Sequence, residues 1–344
     1  MASHPVQTRT LGKNGPQVPA LGFGLMGMSI AYGTIPDDEY RFKLLDRAVQ
    51  IGATFWDTAD LYGDSEEFVG KWFKRTGKRD QIFLATKFGL NKNDHMAAPN
   101  SSPEYCRAAC AKSLKDLQTD YIDLYYLHSP NHDIPIEVTV RAMAELQAEG
   151  KIKHIGLSNI GANALRRAYK IAPIAAIQVE YSPFTLDIEK SVSGNLLAAA
   201  RELGVAIVAY APMGRGMATS VFAKNDSPAD VNDRRAQGLP RFMGQNRDKN
   251  VQMVRKFQAL SEKKGCNVSQ LALAWLLKQG EDIIPNPGTK RIEYLEDNWK
   301  AMQIQLTDDE EKEVRAFVEK AETAGHQMPP GMEEMQFEDT VEES

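Results

Sequence analysis

The most constraining feature of this chain is a repeat in which a short β-branched run is followed by an amphipathic helical stretch. The helical stretches include DDEYRFKLLDRAVQIG and NLLAAARELG, and several would end at a glycine: Gly52, Gly77, Gly150 and Gly204. Eight such units in series favour an α/β fold, a closed (β/α)8 TIM barrel, over a doubly wound sheet. The strand segments are LGFGLMG, TFWDTAD, IFLATKFG, YIDLYYLHS, KHIGLSN, AAIQVEYS, VAIVAYAP and DIIPNPG.

The segments outside the repeat predict additions to this barrel. QTRTLGKNGPQVPAL carries a Gly-Lys-Asn-Gly-Pro turn and predicts a β-hairpin that caps the lower end. Residues 213–245 form the longest irregular segment, typical of a lid or binding loop, and extra helices follow toward the C-terminus. No linker rich in Pro and Ser divides the chain, so we expect one domain over residues 1–344, with the fold covering about 7–322. Residues 323–344 are acidic; we expect a solvated tail, with a tail folded back over the barrel as the alternative.

Composition excludes several classes of partner. The net charge is −5 with no concentrated basic stretch, which disfavours nucleic acid as a partner. Apolar runs such as GVAIVAY are too short to cross a bilayer, so no membrane partner is expected. The first ten residues lack the apolar core of a signal peptide, and we expect a cytoplasmic protein.

The cysteines do not predict a disulfide framework or a metal site. There are three of them, an odd and sparse set that fits a reducing compartment. Cys106 and Cys110 are four residues apart in one helical segment and could bind a metal together. No second Cys/His pair is near them in sequence, so we interpret both as small buried side chains.

Residues Gly22–Gly27 match the G-x-G-x-x-G fingerprint of dinucleotide-binding Rossmann folds. That motif should open directly into a helix, but MSIAYGTIPDDEY intervenes, and the helix is expected to begin only at Asp37 or Asp38. The acidic residue due about twenty positions later would be Asp46, in the middle of a helix. We therefore interpret the match as a coincidence on the first barrel strand.

Four chemically useful side chains follow three consecutive strands. Asp57 and Tyr62 follow the second strand, Lys87 the third and His128 the fourth. The carboxyl ends of barrel strands meet at one mouth, so these side chains should lie together. Lys87, paired with Asp57, would lower the pKa of Tyr62 from its usual ~10. Tyr62 could then exchange a proton with a carbonyl oxygen that His128 orients.

Each of these residues also has an ordinary structural interpretation. Asp57 could cap a turn, Tyr62 could be a packing residue and Lys87 a surface lysine. His128 could be a half-buried histidine with satisfied hydrogen bonds. Their coincidence at the ends of three consecutive strands favours a catalytic site.

At these residues the sequence resembles the aldo-keto reductase family, from about Gln7 to Ala321. Within that family it is most similar to the branch of pyridoxal reductases, perakine reductase and related fungal and bacterial proteins, which PRF at Pro240–Phe242 also fits. Six segments occur in the family's order: GATFWDTADLYGDSEEFVGK, LATKFG, DYIDLYYLHSP, GKIKHIGLSN, IQVEYSPF and IPNPGTKRIEYLEDN.

The resemblance implies a (β/α)8 barrel that binds NADPH or NADP+ at its mouth, with NADH less favoured, and reduces a small aldehyde or ketone to an alcohol. Tyr62 would be the acid, Lys87 the cation that lowers its pKa, Asp57 the partner of Lys87, and His128 the residue that orients the carbonyl. The substrate and the oligomeric state are left open.

The resemblance also implies a cofactor site. The carboxamide would be held by Ser158, Asn159 and Gln178, and Tyr210 would stack on the nicotinamide. Further implied contacts are Leu25 and Met26 near the nicotinamide, Ala211, Pro212, Met213 and Gly214 at the pyrophosphate, Arg241, and Gly288, Thr289, Lys290, Arg291, Asp297 and Asn298 toward the adenosine.

One departure concerns the 2′-phosphate. Some members of the family place an arginine where this chain has Tyr294, and Lys290 or Arg291 could take over that role.

Two alternatives to a carbonyl reductase are kept. The first is a nicotinamide-binding regulatory subunit resembling potassium-channel β subunits, and the second is a barrel lyase or aldolase that uses Lys87 as a Schiff-base amine. Four residues could be substrate-pocket walls or ordinary packing residues: Met28, Tyr32, Trp56 and Phe88.

Overall fold

A single parallel sheet organises the molecule. The computed structural model describes residues 6–90, 98–225, 230, 232–332 and 336–343. Within these residues, eight strands pair in sequence order, each parallel to the next. They are β3 (Phe23–Gly24), β4 (Phe55–Asp57), β5 (Phe83–Phe88), β6 (Ile122–Leu127), β7 (Ile152–Ser158), β8 (Ile174–Glu180), β9 (Ala206–Tyr210) and β10 (Ile283–Pro285).

Backbone contacts between the first and last strands close the sheet. The Gly22 amide donates to the Pro285 carbonyl at 2.9 Å, and the Gly24 amide to the Pro287 carbonyl at 3.0 Å. Gly24 and Gly288 also form a parallel bridge. A Cβ atom at Gly288 would lie 2.9 Å from the Gly24 carbonyl oxygen, so the two chains can approach this closely because residue 288 has no side chain. The predicted (β/α)8 barrel is confirmed.

Helices alternate with these strands as the sequence pattern predicted. In the described residues, one α-helix follows each of the first six barrel strands, four lie between β9 and β10, and two follow β10. Two of the four between β9 and β10 are single turns within the long loop. The helices are α1 (Asp38–Gln50), α2 (Ser65–Thr76), α3 (Pro103–Asp116), α4 (Ile136–Ala148), α5 (Ala162–Ile171), α6 (Leu196–Leu203), α7 (Ser220–Ala223), α8 (Arg235–Gly238), α9 (Gly244–Lys264), α10 (Val268–Lys278), α11 (Ile292–Trp299) and α12 (Asp308–Lys320).

The predicted N-terminal hairpin caps one end of the barrel. Its antiparallel strands, β1 (Thr8–Thr10) and β2 (Gln17–Pro19), place Leu11 and Val18 against the inward-facing side chains of the barrel. The mouth of the barrel is the end at which the parallel strands finish, and it carries the side chains described below. The hairpin covers the opposite end.

The first strand does not open into a helix. It continues into a short 3-10 turn, Met26–Met28, and α1 begins at Asp38. The Asp37 carboxylate accepts a hydrogen bond from the Tyr40 amide at 2.8 Å and so caps α1. The interpretation of the G-x-G-x-x-G match as a coincidence is confirmed, because in the described range 6–90 the α-helix after this strand begins only at Asp38, too late for a Rossmann pyrophosphate site.

The cysteine predictions can be compared with the described residues. Cys106 and Cys110 are free and buried, and burial raises the pKa of the Cys110 thiol to about 12. No group of metal-ligating side chains is present in the described ranges.

Among the helices described here, none is long and apolar enough to cross a membrane.

The expectation of a solvated C-terminal tail is wrong for residues 336–343. This segment lies against the barrel, where Glu338 forms a parallel bridge with Ile160, two residues beyond the end of β7. Thr340 is buried and the side chain of Arg167 donates to its carbonyl oxygen at 2.7 Å. The alternative of a tail folded back over the barrel is therefore correct. A local sequence pattern does not reveal this docking, because its partners are distant in sequence.

Candidate active site

A buried ion pair lies at the centre of the barrel mouth. Asp57 is the last residue of β4, and Lys87 is the fifth residue of β5, the neighbouring strand. Lys87 Nζ lies 2.5 Å from Asp57 Oδ1, donates to the Thr58 carbonyl at 2.8 Å and reaches the Tyr62 hydroxyl at 3.5 Å. Lys87 is fully buried and Asp57 nearly so. Because water does not solvate these two charges, their stability depends on the hydrogen bonds that they make in the protein.

Burial and the ion pair act on the pKa values in opposite directions. Burial alone would lower the pKa of Lys87, but Asp57 and Tyr62 outweigh it, and the pKa lies above its usual value. For Tyr62 burial raises the pKa, Lys87 lowers it, and burial dominates. Lys87 therefore acts in the expected direction, but the net pKa of Tyr62 is raised rather than lowered. The site holds a charged ammonium beside a protonated phenol.

His128 completes the group and is neutral. Its ring is edge-on to that of Tyr62, with centroids 5.8 Å apart and an interplanar angle of 81°. Burial, with a smaller contribution from Lys87, holds the pKa of His128 well below its usual value. Its Nδ1 atom is buried and has no hydrogen-bond partner among the residues that the structure describes. The structure thus brings all four predicted catalytic side chains to one mouth.

Amide and hydroxyl groups line the neighbouring strand ends. Gln178 on β8 donates its side-chain amide to Asp57 Oδ2 at 2.7 Å, and Ser158, the last residue of β7, is buried. Asn159 Nδ2 donates to the His128 carbonyl at 3.1 Å, and Asn159 Oδ1 accepts from the Tyr210 hydroxyl at 3.2 Å. Two of the predicted carboxamide-binding residues, Gln178 and Asn159, therefore contact catalytic residues, and Ser158 is paired with Gln178 across neighbouring strands.

The loop after β9 turns sharply at the predicted pyrophosphate segment. Ala211 has a left-handed φ of 47°, and the segment continues through the buried Pro212 to Met213 and Gly214. Arg215 is also left-handed, with φ 55°, and its guanidinium lies 5.9 Å from the centre of the Tyr210 ring. Repeated left-handed residues curl the backbone into a short turn beside the mouth.

The predicted adenosine-end residues lie after β10 and along α11. Lys290 Nζ donates to the Tyr32 and Thr34 carbonyls at 2.6 and 2.8 Å. Arg291 is exposed and approaches the Tyr294 hydroxyl at 3.4 Å. The other members are Gly288, Thr289, Asp297, which accepts from Asn267 at 2.6 Å, and the buried Asn298.

Two of the predicted cofactor residues, Leu25 and Arg241, are buried in the protein. Leu25 is fully buried and its amide donates to the Asp57 carbonyl at 2.9 Å, while Met26 is partly exposed in the adjoining turn. Arg241 is nearly buried and contacts Glu180, Thr185 and Gln327 through its terminal nitrogens. Since protein groups engage both terminal nitrogens, the position of Arg241 favours a structural role.

The four side chains suggested as substrate-pocket walls differ in how deeply they are buried. Trp56 is fully buried against Trp72 and Phe73, and Phe88 is stacked on Tyr125 at 4.9 Å. Both are packing residues. Met28 is buried in the main core, and Tyr32 is partly exposed near the mouth.

Comparison with known proteins assigns this arrangement to a family. The model of the "Aldo/keto reductase family" matches residues 20–319. The chain belongs to the aldo/keto reductase family. Aldo-keto reductase str7 of Strobilurus tenacellus is 47% identical over 326 residues, covering 93% of this aldo/keto reductase and 94% of str7. Aldo-keto reductase yakc [NADP(+)] of Schizosaccharomyces pombe is 43% identical over 339 residues, covering 97% and 98%.

Solved structures agree with the barrel of this aldo/keto reductase. The glycerol dehydrogenase AKR11B4 of Gluconobacter oxydans has a TM-score of 0.78 at 28% identity, over 92% of this chain and 96% of that one. The aldo-keto reductase AKR11C1 of Bacillus halodurans, in its holo form, has a TM-score of 0.73 at 29% identity, over 93% and 98%.

Sequence reasoning missed some contacts around the site of this aldo/keto reductase. The backbone carbonyl of Thr58 accepts a hydrogen bond from Lys87. The identity of residue 58 does not predict this contact. Gln336, which lies near the C-terminus, donates a hydrogen bond of 3.3 Å to the Tyr210 hydroxyl. Neither contact has a local sequence pattern, because each depends on how distant segments meet.

Proposed function

We propose that this aldo/keto reductase uses NADPH to reduce an aldehyde or ketone to an alcohol, with Tyr62 as the general acid. The observation that carries the proposal is the buried chain of contacts from Asp57 through Lys87 to Tyr62, beside His128. A protonated phenol next to a fixed cation can give a proton to an oxygen that gains negative charge. The family supports carbonyl reduction in general.

The residues divide the chemical work among them. NADPH, when bound, supplies the hydride that adds to the carbonyl carbon. Tyr62 transfers its phenolic proton to the carbonyl oxygen, and Lys87 stabilises the phenolate that remains. Asp57 keeps Lys87 charged and in place, and the neutral His128 can donate one hydrogen bond to the carbonyl oxygen. Solvent then returns a proton to Tyr62.

The groups at the mouth fit a nicotinamide in their chemistry. A carboxamide has both donors and acceptors, and the amides of Asn159 and Gln178 with the Ser158 hydroxyl offer both. Tyr210 supplies an aromatic face, and residues Ala211–Gly214 supply a tight backbone turn for the pyrophosphate. We propose that these residues bind NADPH together with the segment from Gly288 to Asn298.

Arg291 is the residue we propose for the 2′-phosphate. Lys290 is engaged by two backbone carbonyls, whereas Arg291 is exposed and its planar fork suits a phosphate. The name of the Schizosaccharomyces pombe relative specifies NADP(+) for that protein, which supports the same preference here. Arg291→Ala should raise the KM for NADPH more than that for NADH.

A Tyr62→Phe variant tests the proposal directly. Loss of the phenolic proton should lower kcat by at least about a hundredfold, whereas the dissociation constant for NADPH should stay within about twofold because the ring remains. Absorbance of the nicotinamide would report turnover with 4-nitrobenzaldehyde, and fluorescence titration would report binding. A fully active Tyr62→Phe enzyme would refute the mechanism.

The substrate subtype needs its own measurement. The resemblance to the pyridoxal reductase branch predicts that pyridoxal is reduced, and a carbonyl panel with NADPH and NADH tests it. If NADPH binds and the wild-type protein reduces no carbonyl in the panel, the regulatory-subunit alternative replaces the reductase. The Schiff-base alternative is disfavoured because Lys87 is held as an ammonium by Asp57.

A further inference from the structure

The C-terminal segment 336–343 contacts the barrel directly beside the candidate nicotinamide residues. The Glu338 amide donates to the Asn159 carbonyl at 3.1 Å, and the Gly161 amide donates to the Glu338 carbonyl at 3.1 Å. Together with the parallel bridge between Ile160 and Glu338, these bonds fix the backbone on both sides of Ile160. The tail thus pairs with the backbone just beyond the carboxyl end of β7 at a single parallel bridge.

The anchor of this segment is Arg167 on α5. Its guanidinium makes two bonds of 2.8 Å with Glu137 and donates to the Thr340 and Val341 carbonyls at 2.7 and 2.6 Å. The Thr340 hydroxyl accepts from the Ile136 amide at 3.1 Å. This last bond serves the first turn of α4, whose N-cap is a proline without a side-chain acceptor.

The other end of the segment reaches the mouth. Gln336 Nε2 donates to the Tyr210 hydroxyl at 3.3 Å, and that hydroxyl donates to Asn159 Oδ1 at 3.2 Å. Asn159 Nδ2 in turn donates to the His128 carbonyl at 3.1 Å. A line of hydrogen bonds therefore runs from the tail to the backbone of a candidate catalytic residue.

The backbone of Asn159 adopts a left-handed conformation between its contacts with the tail and with His128. Its φ is 57°, a left-handed value that is uncommon for a residue with a side chain. Residues of this kind persist when the surrounding structure holds them in place. Here the carbonyl of Asn159 is held by Glu338, and its side-chain oxygen by Tyr210, which Gln336 holds in turn.

We propose that residues 336–343 are a positioning element for the nicotinamide end of the cofactor site, with Gln336 and Glu338 holding Tyr210 and Asn159 and with Arg167 as the anchor. The inference rests on the proposed function, since Asn159 and Tyr210 bind the nicotinamide only if NADPH is the cofactor. The adenosine half of the cofactor would bind at residues that the tail does not touch. Loss of the tail contacts should therefore weaken one half of the site only.

An Arg167→Ala variant tests this element without changing a residue at the mouth. We expect the dissociation constant for NADPH to rise roughly tenfold, as misplaced positioning groups cost binding and rate, and kcat to fall with it. Binding of 2′,5′-ADP, which lacks the nicotinamide, should be unchanged. A general loss of structure would weaken both ligands, so the ratio of the two constants separates positioning from folding.

Arg166→Ala is the matched control. Arg166 is the preceding residue on the same helix, and it pairs at the surface with Glu202 at 2.7 Å, away from the tail. It should leave both dissociation constants and kcat at wild-type values. Equal NADPH affinity in the Arg167→Ala and wild-type proteins, or a parallel loss of 2′,5′-ADP binding, would overturn the inference.

Two further variants keep the test decisive if Arg167→Ala does not fold. Gln336→Ala removes the bond to the Tyr210 hydroxyl and the bond that Gln336 accepts from Gln327, and removal of residues 336–344 removes the whole segment. Both should raise the NADPH constant and spare 2′,5′-ADP, the deletion more than the single substitution, and unchanged NADPH binding in both would overturn the inference. If wild-type protein binds 2′,5′-ADP and NADPH equally and reduces no carbonyl, the proposed function itself fails.

Discussion

At the scale of single residues, burial determines which protons are available at the mouth. Burial raises the pKa of Tyr62 above its usual ~10 and lowers that of His128 well below its usual ~6.5. Tyr62 therefore keeps its proton, and His128 stays neutral, throughout the range between these values. We expect kcat for carbonyl reduction to be constant from about pH 6.5 to 9 and to fall only at higher pH, where Tyr62 loses its proton. A pH–rate profile measured at saturating NADPH checks this, and a step near pH 6.5 that disappears in His128→Gln would contradict it.

Lys87 gives a second prediction at this scale. Lys87→Met leaves the Asp57 carboxylate buried without its cation, which costs about 3–5 kcal/mol of stability when one partner of a buried pair is removed. It also removes the charge that stabilises the Tyr62 phenolate, so kcat should fall at least about a hundredfold. Urea unfolding and single-turnover kinetics measure the two effects. An active Lys87→Met enzyme would contradict the assigned role of Lys87.

The same residues show how far a sequence can predict a site. The position of Asp57, Lys87 and His128 at strand ends follows from the alternation of strands and helices, which sets where each strand stops. The pKa of Tyr62 does not follow, because it depends on the balance of burial against one charge at 3.5 Å. That balance depends on how the chain packs, and the local sequence determines neither the burial of Tyr62 nor its distance from Lys87.

At the scale of elements, a buried arginine, Arg9, adds hydrogen bonds to the apolar packing that holds the hairpin β1–β2 on the barrel. Arg9 donates to the Leu277 and Gly280 carbonyls at 2.6 and 2.7 Å, and also to the Ile283 carbonyl. Arg9→Met should lower the free energy of unfolding by roughly 3 kcal/mol, since buried carbonyls lose charged donors. We expect kcat to stay at the wild-type value, because Arg9 lies at the end opposite to the mouth. Urea unfolding measures the loss, with Lys43→Met, at an exposed pair with Glu39, as a control that changes stability by less than about 1 kcal/mol.

The hairpin and the tail differ in how well sequence predicts them. The turn residues of the hairpin are adjacent to its strands, so a Gly-Lys-Asn-Gly-Pro run predicts it locally. The tail has acidic side chains and no periodic pattern, and it docks through Arg167, which is 173 residues before Thr340. The acidic composition of the tail favoured a solvated segment. Composition does not reveal that Arg167, on a helix of the barrel, offers a buried guanidinium to the tail.

At the scale of the whole molecule, the largest of three apolar clusters among the described residues joins segments that are distant in the chain. The main cluster of buried side chains runs from Phe23 on the first barrel strand to Val318 on the last helix. Since this one cluster takes side chains from the first barrel strand to the last helix, we expect a single cooperative unfolding transition, with far-UV circular dichroism and tryptophan fluorescence giving the same midpoint. The fluorescence reports on distant places, because Trp72 lies on α2 and Trp275 on α10. Two separated transitions would show that the chain contains more than one folding unit.

Ligand binding should shift this transition as a whole. A cofactor that binds only the folded barrel stabilises it by about 2.7 kcal/mol at a concentration one hundred times its dissociation constant. NADP+ should therefore raise the midpoint of the single transition without dividing it. NADH at the same concentration should raise it less, because Arg291 has no 2′-phosphate to bind. In Arg291→Ala the difference between the two cofactors should shrink, and differential scanning fluorimetry compares all four combinations. An equal shift by both cofactors in the wild-type protein would refute the preference for NADPH while leaving the barrel and the role of Tyr62 intact.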